Sequence, residues 1–273
     1  MKVITLGYDC SPAAQVALAR AQRLALGHRA NLHIVQVLEA GAAPVDRKNA
    51  LARLKVEQRV ATVDADDVAF VVLDGDPAVA LSQAADAADA DLIIIGGHQA
   101  KRWTDVAFGT TAEALLRWSE RPLLIARAAP EHDYSQAVAA IDSEKSMRAA
   151  LALASLVGAT ALMAVHAYEL PFEAHVIGGE VTATIKAEET NAFRERMKRI
   201  PSPANLKVEA MAIEDDIVVA IEQASQASNA DLVILTTHAR AGLRWLLRGS
   251  VADTVLERSP RDVLVGRLPP HRI

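Results

Sequence analysis

The chain has 273 residues, is 51% hydrophobic, and carries 29 basic against 34 acidic side chains for a formal net charge of -5. That is enough apolar material for one large core or two ordinary ones, while the charge balance leaves no field to hold nucleic acid or an anionic membrane. A small soluble partner fits better. No apolar run approaches the roughly 18 residues of a spanning helix, and the first residues enter a strand-like run without a basic leader. The single cysteine, Cys10, has no internal disulfide partner, so the expected setting is a reducing cytoplasm.

Taken in chain order, a first apolar run at residues 3–6 ends at Asp9. Ser11 and Pro12 then read as a helix N-cap and first turn. Ala14, Ala17, Leu18, Ala21 and Ala25 form an apolar stripe at helical spacing, and Gly27 reads as the stop signal. Further strand-like runs lie at 32–38, 68–73, 92–95 and 123–126. Between them, Gly75-Asp76-Pro77 opens a helix expected from 78 to about 88, Gly96-Gly97 follows the fourth run, and Gly109-Thr110-Thr111 opens the last helix. Continuous apolar strands alternating with helices predict a parallel sheet covered on both faces.

The pattern then repeats. Residues 229–235, Asn-Ala-Asp-Leu-Val-Ile-Leu, match residues 89–95, Asp-Ala-Asp-Leu-Ile-Ile-Ile, 140 positions earlier. At the same spacing His98 falls on His238, Gly109-Thr110 on Gly249-Ser250, and the run 121–125 on 261–265. Asp142 answers Asp9 at a shorter spacing. Second-half strands are expected at 138–141, 161–165, 206–212, 232–235 and 263–265. The period far exceeds the 20 to 50 residues of a solenoid, so a duplicated domain is predicted, with units at 1–128 and 134–268 and a proline-containing boundary at 128–133. The expected fold class is α/β, as two tandem open, mostly parallel five-stranded sheets covered by helices, Rossmann-like in design.

In such sheets ligands bind beyond the carboxyl ends of the strands, where glycines admit backbone approach and helix N-termini attract anions. Asp9, Gly75-Asp76-Pro77, Gly96-Gly97 and Gly109-Thr110-Thr111 all fall at that edge in the first half. A phosphate could meet free N–H groups and threonine hydroxyls there. Each feature also has a plain structural reading, with Gly75 and Gly96 as tight turns, Asp9 and Asp76 as caps, and Thr110 or Thr111 as an ordinary N-cap.

Tyr8-Asp9-Cys10-Ser11, Gly75-Asp76-Pro77, the run 90–96, and Gly109-Thr110 leading to Arg121-Pro122-Leu123-Leu124-Ile125 resemble the universal stress protein family, and nearly the whole chain is covered, twice. The resemblance implies an adenine-nucleotide α-hydrolase-like fold. ATP-binding members carry a glycine, two residues, a second glycine, nine residues, then glycine with serine or threonine. Here the spacing reads Gly96, two residues, Gln99, nine residues, Gly109-Thr110. If the replaced glycine needs a left-handed backbone, Gln99 costs roughly 1 to 2 kcal/mol, a weakening of about 5- to 30-fold. Position by position, the resemblance implies Asp9 near the ribose of ATP or a related adenine nucleotide, Val37 by the adenine, and Gly96, Gly109, Thr110 and Thr111 around the phosphates. Cys10 stands where the family often has glycine, and its thiol reads as an inert packing group. Family domains pair through the final strand, which implies an intramolecular pseudo-dimer through 123–126 and 263–265, and two such chains could associate again as a homodimer.

The second half departs from the pattern. Asp142 and Gly249-Ser250 remain, but Glu214-Asp215-Asp216 replaces glycine-aspartate-proline, and Thr236 and Ala239 occupy the two glycine positions. No ATP binding is expected there. Neither a Walker loop nor a glycine-x-serine-x-glycine elbow occurs, and His166, Glu169, Glu173 and His175 lack the spacing of recurring zinc motifs. The expected function is therefore a non-enzymatic stress-response regulator sensing a nucleotide through its first half, with no metal. Its alternatives are a weak ATP hydrolase at Asp9 or Asp76, or a ligand-free scaffold.

Overall fold

The computed structural model describes residues 1–58, 67–97, 110–170, 179–237 and 251–268. The first half runs β1 (Val3–Gly7), α1 (Pro12–His28), β2 (Asn31–Leu38), α2 (Pro44–Gln58), β3 (Val68–Asp74), α3 (Pro77–Ala87), β4 (Leu92–Gly96), α4 (Thr110–Trp118), β5 (Leu123–Ala126). The second half repeats it as β6 (Gln136–Ala140), α5 (Glu144–Leu156), β7 (Ala161–Tyr168), α6 (Gly179–Lys198), β8 (Lys207–Glu214), α7 (Ile217–Ala227), β9 (Leu232–Thr237), α8 (Val251–Arg258), β10 (Asp262–Arg267). Within each half every strand pairing is parallel, as the continuous apolar runs predict.

The two five-stranded sheets do not stay separate. They join as one ten-stranded sheet of order β3-β2-β1-β4-β5-β10-β9-β6-β7-β8. The joint is the antiparallel pair β5 and β10, with Val263 opposite Ile125, Leu264 opposite Leu124 and Val265 opposite Leu123. All six side chains are buried, so this seam is core rather than surface. Two apolar layers result, each drawing on both halves. One holds Ile4, Leu6, α1 and α5 side chains and Leu264, and the other holds Val35, Leu81, Ile125, Ile221 and Val263.

One terminator differs from expectation. Gly27 lies inside α1, and the helix stops at Arg29, which adopts a left-handed φ of 52° and donates its N–H to the carbonyls of Ala25 and Leu26. Gly27 was a plausible stop because glycine takes that conformation most easily, but here a solvent-facing arginine bears the modest strain two residues later.

The sheet has two open edges, at β3 and β8, and both are covered alike. Arg47 of α2 donates to the carbonyl of Val72 at 3.0 Å and also pairs with Asp74, while Arg194 of α6 donates to the carbonyl of Ala210 at 3.2 Å. Long cationic side chains laid on outward carbonyls discourage edge-to-edge pairing with another molecule.

A buried charge cluster fastens the halves. The fully buried Asp262 accepts from Arg20 Nε at 3.0 Å, from the backbone N–H groups of Arg127 at 2.7 Å and Ala128 at 3.2 Å, and from the Tyr134 hydroxyl. Arg20 also lies 4.1 Å from the Tyr134 ring centroid and donates to the carbonyl of His132 at 3.1 Å. Burial, reinforced by the charge of Asp262, pushes the Tyr134 phenol well above its ordinary pKa and keeps it a donor. Around the seam, Arg127 donates to the carbonyl of Leu256 at the end of α8, and Arg267 donates to that of Arg117 at the end of α4 at 2.9 Å. These are related contacts, each placing a cation at the negative end of the other half's helix.

Candidate functional site

The strand order of the first half reverses between β1 and β4, so their carboxyl ends flank the crevice expected to take a ligand. Asp9 lies just beyond β1, exposed, with one carboxylate oxygen accepting the Ser11 N–H at 2.9 Å. Ser11 in turn caps α1 through the Ala14 N–H at 3.1 Å. Gly96 ends β4 against the first turn of α1. A Cβ there would lie 2.4 Å from the carbonyl carbon and oxygen of Ala13 and 2.8 Å from the Ala14 nitrogen, so any side chain would collide with backbone. Gly97 donates to the carbonyl of Ala126 at 2.8 Å, and a Cβ on it would meet the Arg127 stem at 2.7 Å.

Val37 is half-buried near the carboxyl end of β2, in register with Leu73. Thr110 begins α4, and Thr111 is half-buried in its first turn. Gln99 and Gly109 fall outside the described residues. Gly75 has a left-handed φ of 117°, and Asp76 caps α3 by accepting from Ala78 and Val79 at 3.0 Å each, so the Gly75-Asp76-Pro77 signal has a full local explanation.

Two further features emerge here. Cys10 occupies the left-handed region at φ 64°, which explains structurally why glycine suits this position. Its side chain is half-buried and packs against the core. Replacing Cys10 with glycine is expected to stabilise the full chain by about 1 kcal/mol by removing that strain. Urea unfolding checks this, and a loss of stability would mean that packing of the thiol outweighs the strain. Gln36, one residue before Val37, is 9% exposed and its Oε1 has no hydrogen-bond partner. In the sequence it shows as a polar residue inside the apolar run 32–38.

In the second half the same edge is built differently. The N-cap Ser143 directly follows Asp142, one residue sooner than Ser11 follows Asp9, and it is extended at φ -149°, so no left-handed residue is needed. Thr236, half-exposed on β9, puts a side chain at the place where Gly96 has none. Asp216 caps α7 through the Val218 N–H at 2.8 Å, while Asp215 accepts from Asp216 and from Gln223. Ala239, His238, Gly249 and Ser250 lie outside the described residues.

The most nearly repeated sequence lies at the opposite, amino ends of the strands, where it pins the scaffold. Asp91 accepts the N–H groups of Lys2 and Val3, and Asp231 accepts those of Ser135 at 2.8 Å and Gln136 at 3.3 Å. Arg121 donates to the Ala90 carbonyl at 2.7 Å, and Arg261 to the Ala230 carbonyl at 3.0 Å. Asp89 and Asn229 both take the left-handed conformation that these two residue types tolerate best. The halves therefore share their framework and differ at the ligand edge.

His166 Nδ1 donates to the Ile141 carbonyl at 3.1 Å, and the ring stacks on Phe193 at 5.2 Å. Glu173 and His175 lie outside the described residues, among which no group of three or more potential ligands is placed to hold a metal. Nor is any helix among them long and apolar enough to cross a membrane.

The sheet order, the glycine-bounded crevice and the duplicated framework define a tandem Rossmann-like protein. The family model described as "Universal stress protein family" matches residues 1–127 and again 133–267, and the chain belongs to that family as two tandem copies. A universal stress protein from Archaeoglobus fulgidus superposes with a TM-score of 0.70 at 17% identity, covering 98% of each chain. A Pseudomonas aeruginosa PAO1 protein described as functionally unknown gives 0.69 at 21%, covering 98% of this chain and 93% of its own. A putative universal stress protein from Pseudomonas aeruginosa UCBPP-PA14 gives 0.67 at 23% with the same coverage. No curated protein matches the sequence.

Proposed function

We propose that this universal stress protein is a non-enzymatic, cytoplasmic regulator that holds ATP or a related adenine nucleotide at the carboxyl edge of its first half. The second half takes no ATP and supports assembly through the shared sheet. The observation that carries this reading is the contrast at the switch point. Gly96 lets the first turn of α1 close on β4, whereas the second half places Thr236 there and an acidic run, Glu214-Asp215-Asp216, along the same edge. Drift at one edge and restraint at the other, over a common framework, is what one ligand site per chain would leave.

Asp9 keeps one carboxylate oxygen turned to Ser11 and offers the other to a ribose hydroxyl. No side chain among the described residues stands out as a water-activating group, so nucleotide turnover is not part of the proposal.

The test is calorimetric titration of ATP into the full chain, because an isolated first half would expose the buried β5 seam. Saturable binding that is lost in Thr110→Ala, Thr111→Ala is expected, with thermal stabilisation of about 2.7 kcal/mol at 100 times the dissociation constant. Absence of binding at millimolar ATP would remove the site and leave the scaffold reading.

A further inference from the structure

The outer flank of the second half is formed by α6, which packs little for its length. Among the described side chains of its 20 residues only Phe193 and Met197 are buried, whereas α1 buries seven over 17 residues and α5 seven over 13. A helix that is polar nearly all round draws little stability from its own core and leaves a face free.

The charge on that flank is ordered along the helix axis. Towards the carboxyl edge it is acidic. Glu188 and Glu189 are exposed there, and Asp215 and Asp216 follow at the end of β8, which Lys186 ties to α6 by pairing with Glu214. Towards the amino edge it is basic, with Arg196 and Arg199 exposed. Among the described residues, none of Glu188, Glu189, Arg196 and Arg199 is ion-paired within the chain, and the intervening Glu195 is already neutralised by Lys198 at 2.7 Å. Glu188, Ala192 and Arg196 recur every fourth residue, so they share one face with the small, exposed Ala192 midway. The helical rise puts Glu188 and Arg196 about 12 Å apart along the axis.

We infer that a second copy of the chain docks on this face, α6 against α6 in antiparallel order about a two-fold axis near Ala192. Glu188 of each copy then meets the partner's Arg196, and the acidic end of each flank lies on the basic end of the other. A surface that carries its own complement in reverse order is self-complementary under a two-fold operation. A uniformly acidic or basic partner would match one end and be repelled by the other. The contact is helix on helix, so the β8 edge stays covered by Arg194. It belongs to the second half and does not depend on nucleotide at the first.

Sedimentation velocity of the full chain over a concentration series tests this. A monomer–dimer equilibrium is expected at low ionic strength and is lost in ~1 M salt, where charges farther apart than about 3 Å are screened. Glu188→Arg, Glu189→Arg reverses the acidic end of α6, and Arg196→Glu, Arg199→Glu reverses the basic end. Each double variant sets like charges against each other, and self-association is expected to weaken by about tenfold or more. Mixed in equal amounts, the two variants should form a heterodimer, because the reversed ends match again. That recovery also shows both variants to be folded. A parent that stays monomeric at low salt, or variants that dimerise as the parent does, would overturn the assignment. So would a mixture that stays monomeric although both variants keep the parent's thermal midpoint.

Discussion

Asp262→Ala is expected to destabilise the chain by about 3 to 5 kcal/mol, the usual consequence of removing one partner from a buried ion pair. Arg20, whose side chain is 6% exposed, would keep its charge without the carboxylate that matches it. The Tyr134 hydroxyl and the N–H groups of Arg127 and Ala128 would lose their acceptor at the same time. Asp133→Ala is the control. Its partner Arg23 and Asp133 itself are 39% and 72% exposed, and pairs of that kind contribute about 0 to 1 kcal/mol. Urea unfolding of both variants separates the cases, and equal midpoints would show that the Arg20 cluster does not fasten the halves.

The second large effect is expected at Gly96. Alanine there would drive its methyl into the Ala13 carbonyl, which is backbone and has no rotamer to escape into. A cost of about 1 to 3 kcal/mol is expected, with displacement of the first turn of α1. Because Asp9 and Ser11 lead into that turn, stabilisation by ATP should vanish along with it. Thr236→Ala, at the matching position of the second half, should change stability by about 0.5 kcal/mol or less. A Gly96→Ala chain as stable as the parent, yet unable to bind nucleotide, would instead assign the glycine to the ligand alone.

Much of this architecture was legible from the residues. The runs at 92–95 and 232–235 became β4 and β9, the Ser11-Pro12 and Asp76-Pro77 starts became capped helices, and the implied pairing of the last strands is the β5–β10 seam. These signals are local or repeated, so one chain carries them twice. What escaped depends on distant partners. Asp262 was visible only as a departure from Pro122 in the repeat, since Arg20 lies 242 positions earlier. The repeated Asp91 and Asp231 looked like family marks, and only strand pairing shows that they hold Lys2, Val3, Ser135 and Gln136. Gly27 misled for a different reason, because the conformational preference of glycine is permissive and the chain ended its helix on Arg29 instead.

The candidate site was legible in position but not in cause. The spacing brought Asp9, Gly75, Gly96 and Thr110 to one edge, and the fold puts them there. It could not tell that Gly96 answers to the α1 backbone, or that Cys10 bears a left-handed conformation.

The antiparallel seam has one more consequence. Because β5 and β10 run in opposite directions while each half is parallel within itself, the two carboxyl edges open at opposite poles of the molecule. The chain is therefore two-headed, with its heads back to back. The seam joins the two poles, and beside it Arg127 covers Gly97 at the first edge with its side chain and ends on α8 of the second half.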